Sequence, residues 1–214
     1  MRVASIKPNE LALVDGEELV LIREILAQKG FLSQQASMID FIAQYDSLKN
    51  ILGSVVSTAK RVGLDAALLK PPVERPSKIW AAAFNYKRGT SEIKDAAGRG
   101  ETLKFTPEQA LEMTFLKPSS AIIGPEQTIL IPKGERVVYP ELELCVVIGK
   151  EARNVAKTDA LDYVFGYTVM LDMELNANYT HSTARSDSTF LNSGSPVTIV
   201  AFSRMAVARR KASA

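Results

Sequence analysis

Short apolar runs broken by turn residues predict an α+β chain that is mostly β, with a small N-terminal α+β region. Three features carry that expectation. Asp15-Gly16 separates two apolar runs, residues 11–14 and 17–22, as in a β-hairpin closed by a type I′ turn. A single long stretch, residues 35–61, shows helical spacing, with Met38, Ile39, Ile42, Tyr45, Leu48, Ile51, Leu52 and Val55 on one face and Gly53 as a candidate kink. Residues 139–148 alternate glutamate with leucine and then run apolar, the signature of an extended strand.

The remaining elements follow in chain order. Pro71, Pro72 and Pro76 stiffen an extended linker and place a boundary at residue 72. Past that boundary, residues 73–200 form the main domain and residues 201–214 an irregular basic tail carrying Arg204, Arg209, Arg210 and Lys211. The main domain opens with a strand over 79–84, followed by a polar, glycine-bearing loop over 87–104. Thr106-Pro107-Glu108-Gln109 reads as a helix start, with Thr as N-cap and Pro in the first turn. A turn at 117–120 precedes short strands at 121–124 and 128–131. After the glutamate strand come a short helix over 159–165, ended by Gly166, and a strand from Tyr167 to Asp172.

Composition removes several classes of function. The chain has 214 residues, 46% apolar and 23% charged, with a net charge of +2. That balance gives no electrostatic case for a nucleic-acid or membrane partner. No uncharged apolar run is long enough to span a bilayer, and residues 1–8 lack the apolar core of a secretory signal, so the expected location is cytoplasmic. The lone cysteine, Cys145, forms no internal disulfide and reads as a small apolar filler. With His181 as the only histidine, one chain cannot build a multi-histidine zinc site. No nucleophile-elbow pattern accompanies that histidine, and no glycine-rich phosphate loop is present.

The chemistry concentrates at Glu141 and Glu143. On an extended strand they share one face, while Leu142, Leu144, Val146 and Ile148 share the other. Two adjacent carboxylates on an otherwise apolar strand call for a neutralising partner, and hard oxygen ligands suit magnesium, manganese or calcium. Asp172, at the end of the next long strand, is a candidate third ligand if the two strands are neighbours. The alternative is a glutamate face that is simply solvated.

From Lys78 to Ile199 the chain resembles the fumarylacetoacetate hydrolase family. The resemblance lies in residues 84–86, 115–120, 123–125, 141–144, 147–150, 152–155, 160–164, 166–169 and Asp172, which recur in order and spacing. It implies a mixed β-roll, here incomplete beyond about Val200, and a homodimer. It also implies Mg2+ or Mn2+ held by Glu141, Glu143 and Asp172, and a 2-oxo acid or 1,3-dicarbonyl acid as substrate. Such a substrate chelates the cation through carboxylate and keto oxygens, and the cation stabilises the enolate formed when a bond α to the carbonyl breaks. Lys117, in the preserved segment 115–118, and Glu92 are the implied catalytic groups, with Tyr86 and Arg185 binding substrate.

Three departures bear on the reaction. Gly89 stands where hydrolytic members carry a histidine that works with a glutamate, and of that pair only Glu92 remains. Asn176 replaces a substrate-binding arginine, and Arg185-Ser186 replaces a Lys-Ser block. The expectation is hydrolysis, hydration, dehydration or decarboxylation by a metal-dependent enzyme, the missing histidine favouring lyase chemistry. The competing expectation is a truncated, non-catalytic member that retains at most metal binding and dimerisation.

Overall fold

A computed structural model describes residues 1–82, 91–94, 100–103, 114–130, 137–176, 200–202 and 207–208; at 91–94, 100–103, 137–139, 174–176, 200–202 and 207–208 the description is of the backbone. The chain is strand-rich with few helices, as predicted. One large sheet organises it, built from β1 (Arg2–Ile6), β2 (Glu10–Asp15), β3 (Glu18–Leu21), β4 (Arg61–Gly63), β9 (Ile122–Ile123), β10 (Val137–Ile148), β11 (Val164–Asn176), β12 (Val200–Phe202) and β13 (Val207–Ala208).

The predicted hairpin is β2–β3, with a one-residue difference in its turn. Asp15 pairs with Glu18, so the loop is Gly16-Glu17. Gly16 has φ +57° and Glu17 has no positive φ, the pattern of a type II′ rather than a type I′ turn. Glycine is needed at that single position because φ > 0 there carries no Cβ penalty.

The predicted long helix is three short ones: α2 (Met38–Ala43), α3 (Tyr45–Leu48) and α4 (Leu52–Thr58), preceded by α1 (Arg23–Gln28). Gln44 caps α2 and opens α3, and α3 stops at Lys49, so the breaks fall before Gly53 rather than at it. The apolar spacing survives the breaks because each short helix turns the same stripe inward. Ser37 starts α2 with a reciprocal capping box, its hydroxyl accepting from the Asp40 N–H and its own N–H donating to Asp40 Oδ2. The Ser37 hydroxyl also donates to Asp40 Oδ2, and this bond first, then that from the Ser37 N–H, holds the Asp40 carboxyl below its usual range.

Both faces of β1–β3 are covered. Val3, Leu11, Leu13, Val20 and Ile22 pack on Leu26, Phe41, Leu48 and Val55 from the helices, while Ala4, Ile6, Ala12 and Leu19 pack with Leu69 on the other side. Phe165 of β11 enters the first cluster, making edge contacts with Phe41 and Tyr45. Gly149 permits this approach, because a Cβ there would stand 2.8 Å from the Phe165 Cβ.

One sheet joins strands from both sides of the residue-72 boundary. β1 pairs with β13 (Arg2↔Ala208), β13 meets β11, and β11 also carries β10 and β12. The expectation of an irregular tail is corrected here, since 201–202 and 207–208 lie in strands. Apolar Val207 and Ala208 fill the ladder between β1 and β11, a role that the neighbouring basic residues masked in the sequence.

Two ribbons stand apart from the large sheet. β5 (Ile79–Ala82) pairs with β8 (Thr114–Lys117), and β6 (Ser91–Lys94) pairs with β7 (Gly100–Leu103). The second ribbon corrects the expected loop at 87–104, because cross-strand pairing overrides a polar, glycine-bearing composition. Residues 114–117 are strand rather than the end of a helix, and the helix start at 106–109 lies outside the described residues. Residues 128–130 take no strand. The helix expected at 159–165 is a single 3-10 turn, Ala160–Tyr163, after which β11 starts earlier and runs longer than the sequence suggested. No helix among the described residues is long and apolar enough to cross a membrane.

Candidate active site

The long antiparallel pair β10–β11 positions the carboxylates. Glu141 lies directly opposite Asp172, and Glu143 opposite Met170. Directly opposed residues of an antiparallel pair point to the same side, with Cβ atoms about 5 Å apart. The register therefore brings Glu141, Glu143 and Asp172 to one face, with Cys145, Met170 and Thr168 beside them. Pro140, which has no N–H to give, is tolerated on a strand with an open edge.

That face is covered around Asp172, while Glu141 is exposed and Glu143 half-buried. Asp172, Met170 and Thr168 are buried, and Met170 packs with Cys145, Ile79 and Ile122. The opposite face, which the alternation marks as apolar, is open: Leu142 is 71% exposed, Leu144 56%, Val146 49% and Ile148 57%. The solvated-glutamate alternative holds at Glu141 and gives way to burial toward Asp172. The cover at the Asp172 end is the β5–β8 ribbon, whose Ile79 seats on Met170 together with Ile122.

The same ribbon delivers Lys117. Ile79 and Lys117 are directly opposed across β5–β8 and so share the inner face, while Trp80 and Leu116 share the outer one and are 64% and 58% exposed. Lys117 Nζ forms an ion pair with Asp172 Oδ1, and both side chains are only 8% exposed. The contact is ionic in character, since Oδ1 is buried and accepts no hydrogen bond of normal geometry. Nζ also lies 5.0 Å from the ring centroid of Phe115, within cation–π range.

Cys145 reports on the electrostatics. Burial above all, then the charge of Glu143 and then that of Asp172, push its thiol up to about 11. Its Sγ lies 3.3 Å from Met170 Sδ. A thiol held neutral between carboxylates fits the packing role expected of it and is not an activated nucleophile.

By type and by register, the donor set suits a hard divalent cation: three carboxylates on one partly covered face, with an ammonium already attached to the most buried of them. The side chains themselves are splayed, and among the described residues no three His, Cys, Asp or Glu groups converge tightly enough to enclose an ion. Of the other predicted residues, Glu92 lies in β6 opposite Thr102 by backbone register, while Tyr86, Arg185 and Gly89 lie outside the described residues. Sequence reasoning missed the attachment of Lys117 to Asp172. Nothing local signals a contact across fifty-odd residues; only the order of the family blocks placed both near one site.

Comparison with known proteins decides the family. Residues 78–210 match the profile described as Fumarylacetoacetate (FAA) hydrolase C-terminal, well over half the chain. The chain belongs to the fumarylacetoacetate hydrolase family. The match runs ten residues past position 200, so most of the basic tail lies within the family's span. A maleylpyruvate hydrolase from Aquipseudomonas alcaligenes is 30% identical over 192 residues, 89% of this chain and 67% of that protein. A homoprotocatechuate catabolism bifunctional isomerase/decarboxylase from Escherichia coli is 39% identical over 94 residues, 44% of this chain and 19% of that one. Among solved structures, a maleylpyruvate hydrolase from Sphingobium sp. SYK-6, in complex with manganese(II) ion and pyruvate, superposes with a TM-score of 0.69 at 27% identity. That superposition covers 98% of this chain and 67% of the other. Hydrolases and an isomerase/decarboxylase thus stand among the family relatives, and a divalent cation is bound in one of them.

Proposed function

We propose that this chain is a divalent-cation-dependent enzyme acting on a 2-oxo acid or a 1,3-dicarbonyl acid, working as a homodimer in the cytoplasm. One observation carries the reading: the register sets Glu141 opposite Asp172 with Glu143 on the same face, and the buried Lys117 reaches that face from the β5–β8 ribbon. Glu141, Glu143 and Asp172 would hold Mg2+ or Mn2+, which when bound would supply a Lewis acid to the substrate's keto oxygen. Lys117 contributes a positive charge beside the substrate's carbonyl oxygen and a proton for the carbon or oxygen that becomes negative. Ile79 and Met170 keep that side of the site dry, which strengthens both effects. Glu92, Tyr86 and Arg185 complete the proposed set, as base and as substrate-carboxylate contacts.

The reaction class is hydrolysis, hydration, dehydration or decarboxylation; pyruvate bound to the Sphingobium hydrolase supports the 2-oxo acid class. Calorimetric titration with Mg2+ and Mn2+, on wild type and on Glu143→Ala, tests the ligand set; wild-type binding no tighter than the variant's sinks it. A turnover screen with acylpyruvates, oxaloacetate and 2-keto-3-deoxy acids tests the enzyme. Chelator-sensitive turnover of one of these is the expected outcome. Cation binding without turnover of any of them replaces this reading with the non-catalytic one.

A further inference from the structure

The Lys117–Asp172 pair raises a question about order of events. Asp172 Oδ1 is buried, faces Lys117 Nζ and accepts no hydrogen bond of normal geometry. A carboxylate oxygen in that condition is held by charge alone. It is therefore open to exchange for a stronger cation. The same ammonium already lies 5.0 Å from the half-exposed ring of Phe115, a contact that would hold it once Asp172 is given up. The two residues share a face of β8, so Lys117 can leave Asp172 by side-chain rotation alone, without any change in the ladder that pairs it with Ile79.

We propose that Lys117 is a resident cation of the carboxylate site: it neutralises Asp172 while no metal is bound, and a divalent cation displaces it toward Phe115 and the open side of the site. The inference rests on the reading that Glu141, Glu143 and Asp172 hold such a cation. Its physical basis is that an ammonium and a divalent ion at the same carboxylate repel each other, and a buried carboxylate left without either is unfavourable. The pair thus gives the buried Asp172 side chain a counter-charge before loading. The same exchange then frees the ammonium for substrate, so that the lysine is released toward substrate only when the ion is in place.

The test uses the full 214-residue chain and two readouts apart from activity. In the first, Mn2+ is titrated calorimetrically into wild type and Lys117→Met; removal of the competing charge is expected to tighten binding roughly tenfold. In the second, wild-type lysines are acetylated with acetic anhydride with and without Mn2+, and Lys117 is followed by mass spectrometry; its labelling is expected to rise about fivefold with the ion. Binding confined to Lys117→Met also supports the proposal. Equal or weaker binding by the variant overturns it. So does unchanged labelling while Mn2+ binds, which means that Lys117 and the ion share Asp172. Binding by neither protein removes the metal reading itself, and the proposal with it. If Lys117→Met does not fold, the wild-type labelling decides.

Discussion

The N-terminal sheet and the β10–β11 pair are both made of alternating strands, yet they treat their apolar residues in opposite ways. In β1–β3 both faces are covered, one by the helices through Leu26, Phe41, Leu48 and Val55, the other by Leu69 and its neighbours. In β10–β11 the leucine face of β10 is open, and the carboxylate face is packed around Asp172 and Met170. The difference teaches that alternation tells which residues travel together, while the elements stacked on a sheet decide which side is inside. In β1–β3 apolar burial alone holds the structure. On β10–β11 an ion pair is held beneath an apolar ribbon, with Glu143 half-buried and Glu141 exposed beside it, a costly arrangement that makes sense where charges are needed for chemistry.

That contrast can be broken in graded steps. Phe41→Ala removes a ring that is 1% exposed and touches both Tyr45 and Phe165, so a loss of about 3–5 kcal/mol is expected in urea denaturation. Asp172→Asn leaves the Lys117 ammonium buried without its counter-charge and is expected to cost about 3 kcal/mol in the same assay without metal. If the second loss is negligible, the pair is not a structural element and the two regions differ less than described.

The Cys145 thiol makes a pH-dependent step. Its folded-state value is raised from 9.0 to about 11, so the folded state favours the neutral thiol. The stabilisation is complete below pH 9 and is lost as pH rises toward 11. Wild type should therefore lose more stability across that window than Cys145→Ala; identical slopes in denaturation midpoints against pH would refute the electrostatic account. Ser37→Ala, which removes the hydroxyl side of the α2 capping box, is expected to cost about 1 kcal/mol. Leu144→Ser on the open face is the smallest step, within about 0.5 kcal/mol, with unfolding of the dilute protein as the measure. A large loss there reveals a partner covering that face.

Much of this was legible in the residues, and the illegible part has a common cause. The hairpin at Asp15-Gly16 and the strand at Glu141 to Ile148 announce themselves through local pattern, and so did the neighbourhood of the two glutamates and Asp172 once the blocks fell in family order. The turn at Gly16-Glu17 differed by one residue because either end of a Gly-bearing pair can start a two-residue loop. The breaks at Gln44 and Lys49 were hidden because the apolar stripe continues across them. Beyond local pattern, the sequence was silent on what Ile79 covers, where Lys117 lands and how Val207 is used, since each depends on a partner far along the chain.

The pairing of Arg2 with Ala208 and Val3 with Val207 also sets a timetable. β1 and β2 can join as soon as they are made, and Leu69 later bridges Ile6, but the Arg2–Val3 edge of β1 waits for its β13 partner until residue 208 has been synthesised. Contacts of such sequence separation form late and slowly, because a long loop must close first. During translation the chain therefore carries an unpaired strand edge for most of its synthesis, and conditions that slow elongation lengthen the interval in which that edge can meet another chain.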